Sequence, residues 1–422
     1  MKESYFNYYL ELDDKGIIFN GLTKRFFLVS KNNFLRFISI MRNPDLYYEE
    51  YKPFVLRMQK EGFVINDDMD EEAMFREVYK RELLPHSFHI MILPTYQCNL
   101  RCWYCIQKHQ DMIMSENTIK CLEKHIEKYI DENDIKDFKL SWFGGEPFLE
   151  FEIIVKLTTF AKTLCELKKI SFNCAITTNG TLIKKEWIPI FRNLEIFNYQ
   201  ITIDGYREQH NAVKRLPGKS AFDTSLNNIR MIVEQIPEAS VNLRINYTEK
   251  SDPIKIIQSI NEVIPQNIRE KVTIIPCKVW QIDDRVITNQ FKETLRSKDF
   301  IGSYKYYNTR LGMCYVDRTH YETIFPNGRV GKCDNENPET VNGVLKDNGI
   351  VVWDKPNINV QKYIFSEESA CKRCKHLPIC YGPCSKRIKE MLEKNGKVVC
   401  LHKDPSDVIS DYIKNYVKTY KK

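Results

Sequence analysis

Three cysteines within ten residues have the types and spacing that most directly indicate chemistry. Cys98, Cys102 and Cys105 stand in the stretch YQCNLRCWYC, just after an apolar run at residues 88–93. Zinc sites and disulfide frameworks normally use an even number of cysteines. A cubane iron–sulfur cluster has four irons, so three thiolates leave one iron open to a ligand that is not protein. The odd count therefore favours an open iron–sulfur site, and a zinc site completed by His109 is the alternative.

Seven further cysteines form a second group near the C-terminus. A chain of this length without an export signal is not expected to be a disulfide scaffold, so metal or cluster ligation explains them better. Two zinc ribbons are the alternative, because all-cysteine zinc sites use similar C-x2-C pairs. The seven are Cys314, Cys333, Cys371, Cys374, Cys380, Cys384 and Cys400.

The remaining four cysteines follow the apolar periodicity of helices and strands. Cys121 and Cys165 continue helical patterns, whereas Cys174 and Cys277 continue strand-like runs. A cysteine in such a pattern packs as a small hydrophobic residue, so burial accounts for all four.

Length, charge and hydropathy exclude several classes of protein. The 422 residues predict two or three domains. No apolar run approaches the ~20 residues of a membrane span, and the N-terminus lacks the pattern of a signal peptide. We therefore expect a soluble, cytoplasmic protein. The net charge of +7 is spread along the chain, so it permits an acidic peptide partner but indicates neither nucleic acid nor membrane binding.

Strand and helix patterns alternate between residues 87 and 281. This alternation predicts an α/β domain with a parallel sheet, whose ligands gather beyond the carboxyl ends of the strands. About six strands can be counted, which favours a partial barrel over a complete eightfold one. The motifs GGEP (144–147), TTNGT (177–181) and TIDG (202–205) follow the second, third and fourth strands. The sequence therefore predicts a ligand site at the strand ends.

The fifth predicted strand, residues 241–247, has one apolar and one polar face. Asn242, Arg244 and Asn246 share the polar face. An inward polar face costs free energy unless polar partners meet it. We therefore expect Arg244 and Asn246 to contact a cofactor.

The segments on either side of this domain have different patterns. Residues 1–70 read as a hairpin with a turn at 13–16, a third strand, two helices and a short strand, the order of a winged-helix-like unit. Residues 71–86 are acidic and predict a solvated helical linker. We predict six segments: recognition unit 1–70, linker 71–86, core 87–285, bridging segment 286–312, cysteine-rich domain 313–405 and closing helix 406–422.

The cysteine motif, followed in order by GGEP, TTNGT and TIDG, resembles the radical S-adenosylmethionine (SAM) superfamily. The resemblance implies a four-iron, four-sulfur cluster whose open iron chelates SAM and reduces it to a 5'-deoxyadenosyl radical. Thr202 stands where the family has serine. Asn211 and Lys214 depart from the family stretch H-D-x-x-R that begins at His210, which leaves Arg215 as the predicted partner of the SAM carboxylate. The implied cofactor contacts are Tyr104, Gly144, Gly145, Glu146, Pro147, Thr178, Asn179, Thr202, Asp204, Arg215, Arg244 and Asn246.

The seven C-terminal cysteines match the spacing of the SPASM extension of radical SAM enzymes, which implies two auxiliary four-iron, four-sulfur clusters. One is assigned to Cys371, Cys374, Cys380 and Cys400, the other to Cys314, Cys333 and Cys384. The second set lacks a fourth cysteine. Its fourth ligand is predicted among Asp317, His320, Asp334 and Cys277, or its open iron binds a substrate thiolate or accepts an electron from a substrate radical.

The combination is similar to SPASM-type ribosomal peptide maturases, in which a winged N-terminal unit captures a precursor by strand addition. The resemblance implies SAM, three clusters, a precursor peptide, and flavodoxin or ferredoxin as reductant. The implied product is a crosslink, thioether or related modification. A formylglycine-forming sulfatase-maturating enzyme and a non-catalytic peptide-binding scaffold are the alternatives. The residues assign no catalytic acid or base.

Overall fold

The computed structural model describes residues 1–107, 109–248, 250–279, 294, 301–302, 311–402 and 405–420. The chain divides into two compact units. The terminal unit contains Met1–Leu84, Thr309–Arg318 and Asn357–Lys422, and the core unit contains Pro85–Asn308 and Thr319–Pro356.

The N-terminal part of the terminal unit has the predicted order of strands and helices. Its elements are β1 (Lys2–Glu3), β2 (Asn7–Glu11), β3 (Lys15–Asn20), β4 (Phe26–Ser30), α1 (Lys31–Arg42), α2 (Tyr48–Lys60), β5 (Val64–Ile65) and α3 (Glu71–Leu83). Strands β2, β3 and β4 form an antiparallel sheet in that order, and β1 pairs with β5. The register Glu11↔Gly16 closes the hairpin, which confirms the predicted turn.

Helix α3 is packed rather than solvated. Asp70 caps it by accepting hydrogen bonds from the amides of Glu72 and Ala73. Phe75 and Tyr79, one turn apart on the same face, are buried in an apolar cluster with Phe365 and other residues of the terminal unit. The prediction of a helix for residues 71–86 is confirmed, whereas their interpretation as a solvated linker is wrong.

The core unit is built on one long sheet. Its strands are β6 (Ser87–Ile92), β7 (Asp137–Trp142), β8 (Ser171–Thr178), β9 (Ile196–Asp204), β10 (Ser240–Tyr247), β11 (Val272–Lys278), β12 (Ile301–Gly302), β13 (Tyr321–Ile324), β14 (Arg329–Gly331), β15 (Gly343–Leu345) and β16 (Val351–Trp353). Strands β6 to β11 are parallel and adjacent in chain order, which confirms the predicted parallel sheet.

Residues 319–356 extend the core sheet at the edge of β6 that β7 does not cover. Strand β13 pairs with β6 in parallel, and β14, β15 and β16 continue as antiparallel neighbours. The amide of His89 donates to His320 O (2.9 Å) and that of Leu93 to Ile324 O (2.9 Å). An unpaired strand edge has backbone groups that need partners, and these bonds supply them. The cysteine-rich segment predicted as one domain, 313–405, is consequently divided between the two units.

Helices with apolar inner faces connect the strands of the core. They are α4 (Glu116–Glu132), α5 (Phe151–Lys168), α6 (Ile188–Asn193), α7 (Arg207–Val213), α8 (Ala221–Gln235) and α9 (Pro253–Asn261). In α4, Ile119, Leu122, Ile126 and Ile130 repeat at helical spacing and are buried. Burial of the four cysteines in these patterns is confirmed; they are Cys121, Cys165, Cys174 and Cys277.

The C-terminal part of the terminal unit contains α10 (Val360–Ile364), α11 (Leu377–Cys380), α12 (Ser385–Asn395) and α13 (Ser406–Tyr420). Ile409, Ile413 and Val417 of α13 pack in an apolar cluster with Tyr8 and Phe19, which confirms the predicted closing helix. No helix in the described part of the chain is both long enough and apolar enough to cross a membrane.

A buried ion pair links α4 to the added strands. His125 Nε2 lies 2.6 Å from Glu322 Oε2, and His125 Nδ1 lies 2.9 Å from Gly349 O. Both ring nitrogens face acceptor oxygens, so the imidazolium form satisfies both. Burial alone lowers the pKa of His125, but Glu322 and Gly349 O raise it above its ordinary value of 6.5 overall.

We predict that Glu322→Gln lowers the free energy of unfolding by about 3 kcal/mol, because the buried imidazolium loses its counter-charge. Urea unfolding of the full chain measures the difference. Since the pKa of folded His125 is raised, the contribution is complete below pH 6.5 and declines as pH rises through the folded pKa. The control is Glu234→Gln, at an exposed pair with Arg230 (2.8 Å), expected within about 0.5 kcal/mol of wild type. Equal small effects in both variants would contradict this prediction.

Candidate functional site

The predicted cofactor residues lie at one edge of the core sheet. The cysteine loop follows β6, GGEP follows β7, and Asn179 follows β8. Thr202 and Asp204 end β9, and Arg244 and Asn246 lie near the end of β10. Because the carboxyl ends of parallel strands meet at the same edge, these residues converge on one site.

The two glycines of GGEP lie directly against the cysteine loop. A Cβ at Gly145 would lie 1.9 Å from Gln97 O, and one at Gly144, where φ is +133°, would lie 2.6 Å from Thr95 O. The amides of Gly145 and Glu146 donate to Thr95 O (3.1 Å) and Gln97 O (2.8 Å). The glycines therefore allow the backbone contact that positions the segment leading to Cys98.

The Glu146 carboxylate joins the ends of β7 and β8. Its side chain is fully buried. Oε1 accepts hydrogen bonds from Thr178 Oγ1 (2.7 Å) and the Phe148 amide (3.1 Å), and Oε2 accepts one from the Asn179 amide (2.8 Å). Burial raises the pKa of Glu146, and these donors oppose the rise. Both carboxylate oxygens thus have protein partners.

A second set of hydrogen bonds fixes the start of the cysteine loop against β8. Asn179 Nδ2 donates to Asn99 Oδ1 (2.9 Å) and lies 3.9 Å from Cys98 Sγ. Asn99 Nδ2 in turn donates to Thr181 Oγ1 (3.0 Å). The side-chain amides of Asn99, in the cysteine loop, and Asn179, in the TTNGT motif, therefore position each other.

Tyr104 connects the cysteine loop to β9 and β10. Its hydroxyl donates to Asp204 Oδ1, and Asn246 Nδ2 donates to that same oxygen (3.1 Å) and to the Tyr104 hydroxyl (3.0 Å). Arg244 Nε donates to Asn246 Oδ1 (3.0 Å). Burial, and then the charge of Asp204, raise the pKa of Tyr104, so the phenol stays protonated. These four residues, which the sequence analysis predicted separately as cofactor contacts, thus form one hydrogen-bonded network.

Lys214 is the functional residue that the sequence analysis did not assign. It is 3% exposed, and its Nζ donates to Thr202 O and lies 3.5 Å from Asp204 Oδ2. The Arg215 side chain is exposed and donates to Ala212 O (3.3 Å). The sequence signal was available, since Lys214 occupies the arginine position of the stretch that begins at His210.

His210 is a neutral partner in this network. Its Nδ1 accepts a hydrogen bond from the Asp204 amide (3.0 Å), and its side chain is fully buried. Burial, and the neighbouring charge of Lys214, hold the pKa of His210 well below its ordinary value. The imidazole therefore acts as an acceptor that fixes the end of β9.

Two of the three thiols of the loop, Cys98 and Cys102, lie close to residues of this network. Cys98 and Cys102 are half-buried and Cys105 is exposed. Burial raises the pKa of Cys98 to about 11, whereas Lys214 opposes the effect of burial at Cys102. Within the described ranges, no three His, Cys, Asp or Glu side chains are close enough together to bind a single metal ion. A four-iron cube holds its thiolates farther apart than one ion does, and three thiols beside a buried cation fit such a group.

Four C-terminal cysteines line one cavity of the terminal unit. The cavity has a volume of about 30 Å³, and its wall contains Cys371, Cys374, Cys380 and Cys400. Burial raises the pKa of Cys371 to about 11 and that of Cys380 to about 12. Four thiols around one cavity fit the cluster that the sequence analysis assigned to them.

The other three cysteines lie in different units, and their grouping stays a prediction from spacing. Cys314 and Cys384 belong to the terminal unit and Cys333 to the core unit. The residues predicted as fourth ligands have other contacts. Asp317 accepts a hydrogen bond from the Ser385 amide (2.9 Å), and His320 Nδ1 lies 2.9 Å from the Tyr129 hydroxyl. Asp334 Oδ1 lies 3.6 Å from Cys333 Sγ, and Cys277 is buried in β11.

The fold and the site define an α/β protein with a cofactor site at the ends of a central parallel sheet. Residues 92–253 match the family model of the radical SAM superfamily. This range contains the cysteine loop and every strand end described above. Over these residues the chain is therefore similar to the radical SAM superfamily. This family implies a four-iron, four-sulfur cluster and SAM as cofactors.

Two curated proteins have similar sequences over part of the chain. The uncharacterized protein MJ0907 of Methanocaldococcus jannaschii is 29% identical over 122 residues, which are 28% of this chain and 38% of that protein. GTP 3',8-cyclase of Clostridium acetobutylicum is 26% identical over 177 residues, 42% of this chain and 49% of that enzyme. The match thus spans less than half of each relative.

Solved structures resemble a larger part of the chain. The structure of anSMEcpe with AdoMet and the peptide Cp18Cys has a TM-score of 0.54 at 16% identity and covers 79% of this chain and 97% of its own. Streptococcus suis SuiB bound to the precursor peptide SuiA has a TM-score of 0.51 at 15% identity and covers 95% of this chain and 99% of its own. These likenesses show a shared fold.

We predict that Gly145→Ala lowers SAM cleavage at least about tenfold, because the new Cβ would collide with Gln97 O and displace the cysteine loop. Chromatography of 5'-deoxyadenosine after anaerobic reduction measures the rate. The control is Gly218→Ala, whose Cβ meets no atom within 4 Å, although its φ of +70° adds a backbone cost that Gly145→Ala does not have. Equal rates in the two variants would mean that the close approach is unimportant.

Proposed function

We propose that this protein modifies a ribosomally made precursor peptide by radical chemistry and forms a crosslink, thioether or related bond. When bound, the cluster and SAM supply a 5'-deoxyadenosyl radical, which removes hydrogen from an unactivated carbon of the peptide. The observation that carries the proposal is the connection of the cysteine loop to four successive strand ends by Glu146, Asn179 and Tyr104. The chain thereby positions the cofactors at the strand ends.

The proposed ligands of the first cluster are Cys98, Cys102 and Cys105, which leave one iron for SAM. Around it we assign the strand-end residues to the SAM site: Tyr104, Gly144, Gly145, Pro147, Thr178, Asn179, Thr202, Asp204, Arg244 and Asn246. Glu146 acts mainly by holding strand ends together, since both of its oxygens already accept protein hydrogen bonds. We assign the buried cation of the site to Lys214 in place of Arg215, whose side chain is exposed.

Two auxiliary clusters complete the proposed redox machinery. Cys371, Cys374, Cys380 and Cys400 hold one, and Cys314, Cys333 and Cys384 hold the other, which lacks a fourth cysteine. Their proposed role is to take up the electron that a product radical releases. Flavodoxin or ferredoxin is the proposed donor to the first cluster, in the reducing cytoplasm.

We assign precursor recognition to the sheet β2-β3-β4 of the terminal unit. Within the described residues, β2 and β4 each pair on one side only, so each has an edge to which an extended peptide can add. The coverage of the solved structures supports this assignment. The similarity to SuiB covers 95% of this chain, and the similarity to anSMEcpe covers 79%. The difference between these two coverages is close to the fraction of the 422 residues that lies in residues 1–70.

Sulfatase maturation is the second candidate, because anSMEcpe shares the fold over 97% of its own chain. Co-expression followed by mass spectrometry distinguishes the two. We expect a short peptide encoded beside this gene to lose hydrogen atoms and gain an internal bond. Conversion of a sulfatase cysteine to formylglycine, with the short peptide unchanged, would favour the second candidate.

We predict that the triple variant Cys98→Ala, Cys102→Ala, Cys105→Ala forms no 5'-deoxyadenosine, because no thiolate remains to hold the SAM-binding cluster. The iron content after anaerobic reconstitution should fall from about twelve to about eight atoms per chain. Cys121→Ala is the control, since Cys121 packs in α4, and should retain iron and activity. Continued SAM cleavage by the triple variant would refute the assigned radical site, and a wild-type content well below twelve would refute three clusters.

A further inference from the structure

The segment from Cys371 to Cys380 carries three of the four cysteines that line the cavity of the terminal unit. It has little regular structure of its own: its helix, α11, is four residues long. Short backbone hydrogen bonds such as Cys374 N to Cys371 O (3.0 Å) close its turns. A segment of this kind needs outside contacts to hold three thiolates at the spacing of one cluster.

Three backbone carbonyls of this segment accept hydrogen bonds from side chains near the N-terminus. The Tyr5 hydroxyl donates to Arg373 O (3.0 Å), the Tyr8 hydroxyl donates to Lys375 O (2.7 Å), and Lys24 Nζ donates to Pro378 O (2.7 Å). All of these residues belong to the terminal unit. Arg373 lies between Cys371 and Cys374, and Lys375 and Pro378 lie between Cys374 and Cys380, so the bonds hold the chain in both intervals.

Tyr8 makes the most complete of these contacts. It is 8% exposed, its ring stacks on His376 at 5.8 Å, and its hydroxyl lies 3.1 Å from His376 Nδ1. The Leu377 amide donates to Cys374 O (3.0 Å), which closes the turn that follows this cysteine. Tyr8 therefore holds the turn at Lys375 and His376, directly after Cys374, and so helps to fix the position of that thiol.

Lys24 joins the turn between β3 and β4 to the helix that carries Cys380. Its Nζ donates to Gly21 O (2.6 Å) as well as to Pro378 O, and it lies 5.9 Å above the Tyr412 ring of α13. Ile379 of α11 packs in the same apolar cluster as Tyr8 and Phe19. The polar and apolar contacts thus hold α11 against the N-terminal sheet.

We propose that Tyr8 and Lys24 are positioning residues for the auxiliary cluster held by Cys371, Cys374, Cys380 and Cys400. The N-terminal sheet is then part of the scaffold of that cluster in addition to its assigned role in peptide recognition. This inference rests on the proposed cluster at these four cysteines. One consequence is that removal of residues 1–70 eliminates the cluster together with any peptide site.

The test uses the full-length chain with Cys98, Cys102 and Cys105 replaced by alanine, so that only the auxiliary clusters contribute iron. This background should hold about eight iron atoms after anaerobic reconstitution. Adding Tyr8→Phe and Lys24→Met should lower the content to about four and remove one component from the EPR spectrum of the reduced protein. Iron and sulfide analysis and EPR are readouts that do not depend on enzyme activity.

The matched control is Tyr9→Phe with Lys15→Met in the same background. Tyr9 is the next residue of β2 and its hydroxyl donates to Glu3 Oε1 (2.6 Å), while Lys15 pairs with Asp14 (3.1 Å). The control therefore loses one hydroxyl and one ammonium group away from the cysteine segment, and it should retain about eight iron atoms. Equal iron loss in the control would overturn the specific role of Tyr8 and Lys24.

Single conservative variants separate positioning from general unfolding. Tyr8→Phe keeps the ring contact with His376 and should alter the EPR signal with unchanged circular dichroism. Lys24→Arg keeps a cationic donor and should restore the iron that Lys24→Met loses. Retention of eight iron atoms and an unchanged spectrum in the double variant would overturn the inference. A background that holds no iron would instead refute the auxiliary clusters themselves.

Discussion

The buried carboxylate of Glu146 is the constraint on which the strand-end site depends. A charged group without solvent needs hydrogen-bond donors around it, and here they come from Thr178, Asn179 and Phe148. This requirement fixes the ends of β7 and β8 relative to each other. The two glycines before Glu146 then bring the cysteine loop into backbone contact with the same strand end. The geometry of these strand ends is thus set by the need to satisfy one buried carboxyl group.

The same principle organises the other half of the site. Asp204 is buried beside Lys214, Tyr104 and Asn246. Each of these three side chains makes a polar contact with the Asp204 carboxylate, which satisfies polar groups that burial removes from water. The cysteine loop contributes Tyr104 to this network, so the loop is held from both sides. Side chains that orient the loop and side chains that can contact a bound cofactor are largely the same. Substitution of one of them is therefore expected to alter cluster binding and SAM binding together.

Periodicity in the sequence was sufficient to predict the parallel strands, the N-terminal hairpin, the closing helix and the packing of cysteines such as Cys121 and Cys174. These features depend on local patterns. The choice of Lys214 over Arg215 depends on the direction in which the chain leaves α7; the position of Lys214 in the stretch from His210 indicated it, but periodicity did not. The packing of α3 and the pairing of β13 with β6 depend on partners more than 200 residues away in the sequence. The spacing of the cysteines predicted which of them could share a cluster. It did not predict that side chains near the N-terminus contact the segment from Cys371 to Cys380.

The division of the chain into units has a consequence for how the protein is made. The core unit is complete when synthesis reaches residue 356, whereas the terminal unit combines residues 1–84 with residues 357–422. Domains generally fold as units while the chain emerges from the ribosome. The first strands must therefore wait, with Tyr8 and Phe19 exposed, until α13 has been translated. The cavity lined by Cys371, Cys374, Cys380 and Cys400 is consequently completed late in biogenesis, and until then the nascent N-terminal sheet exposes apolar surface that chaperones bind.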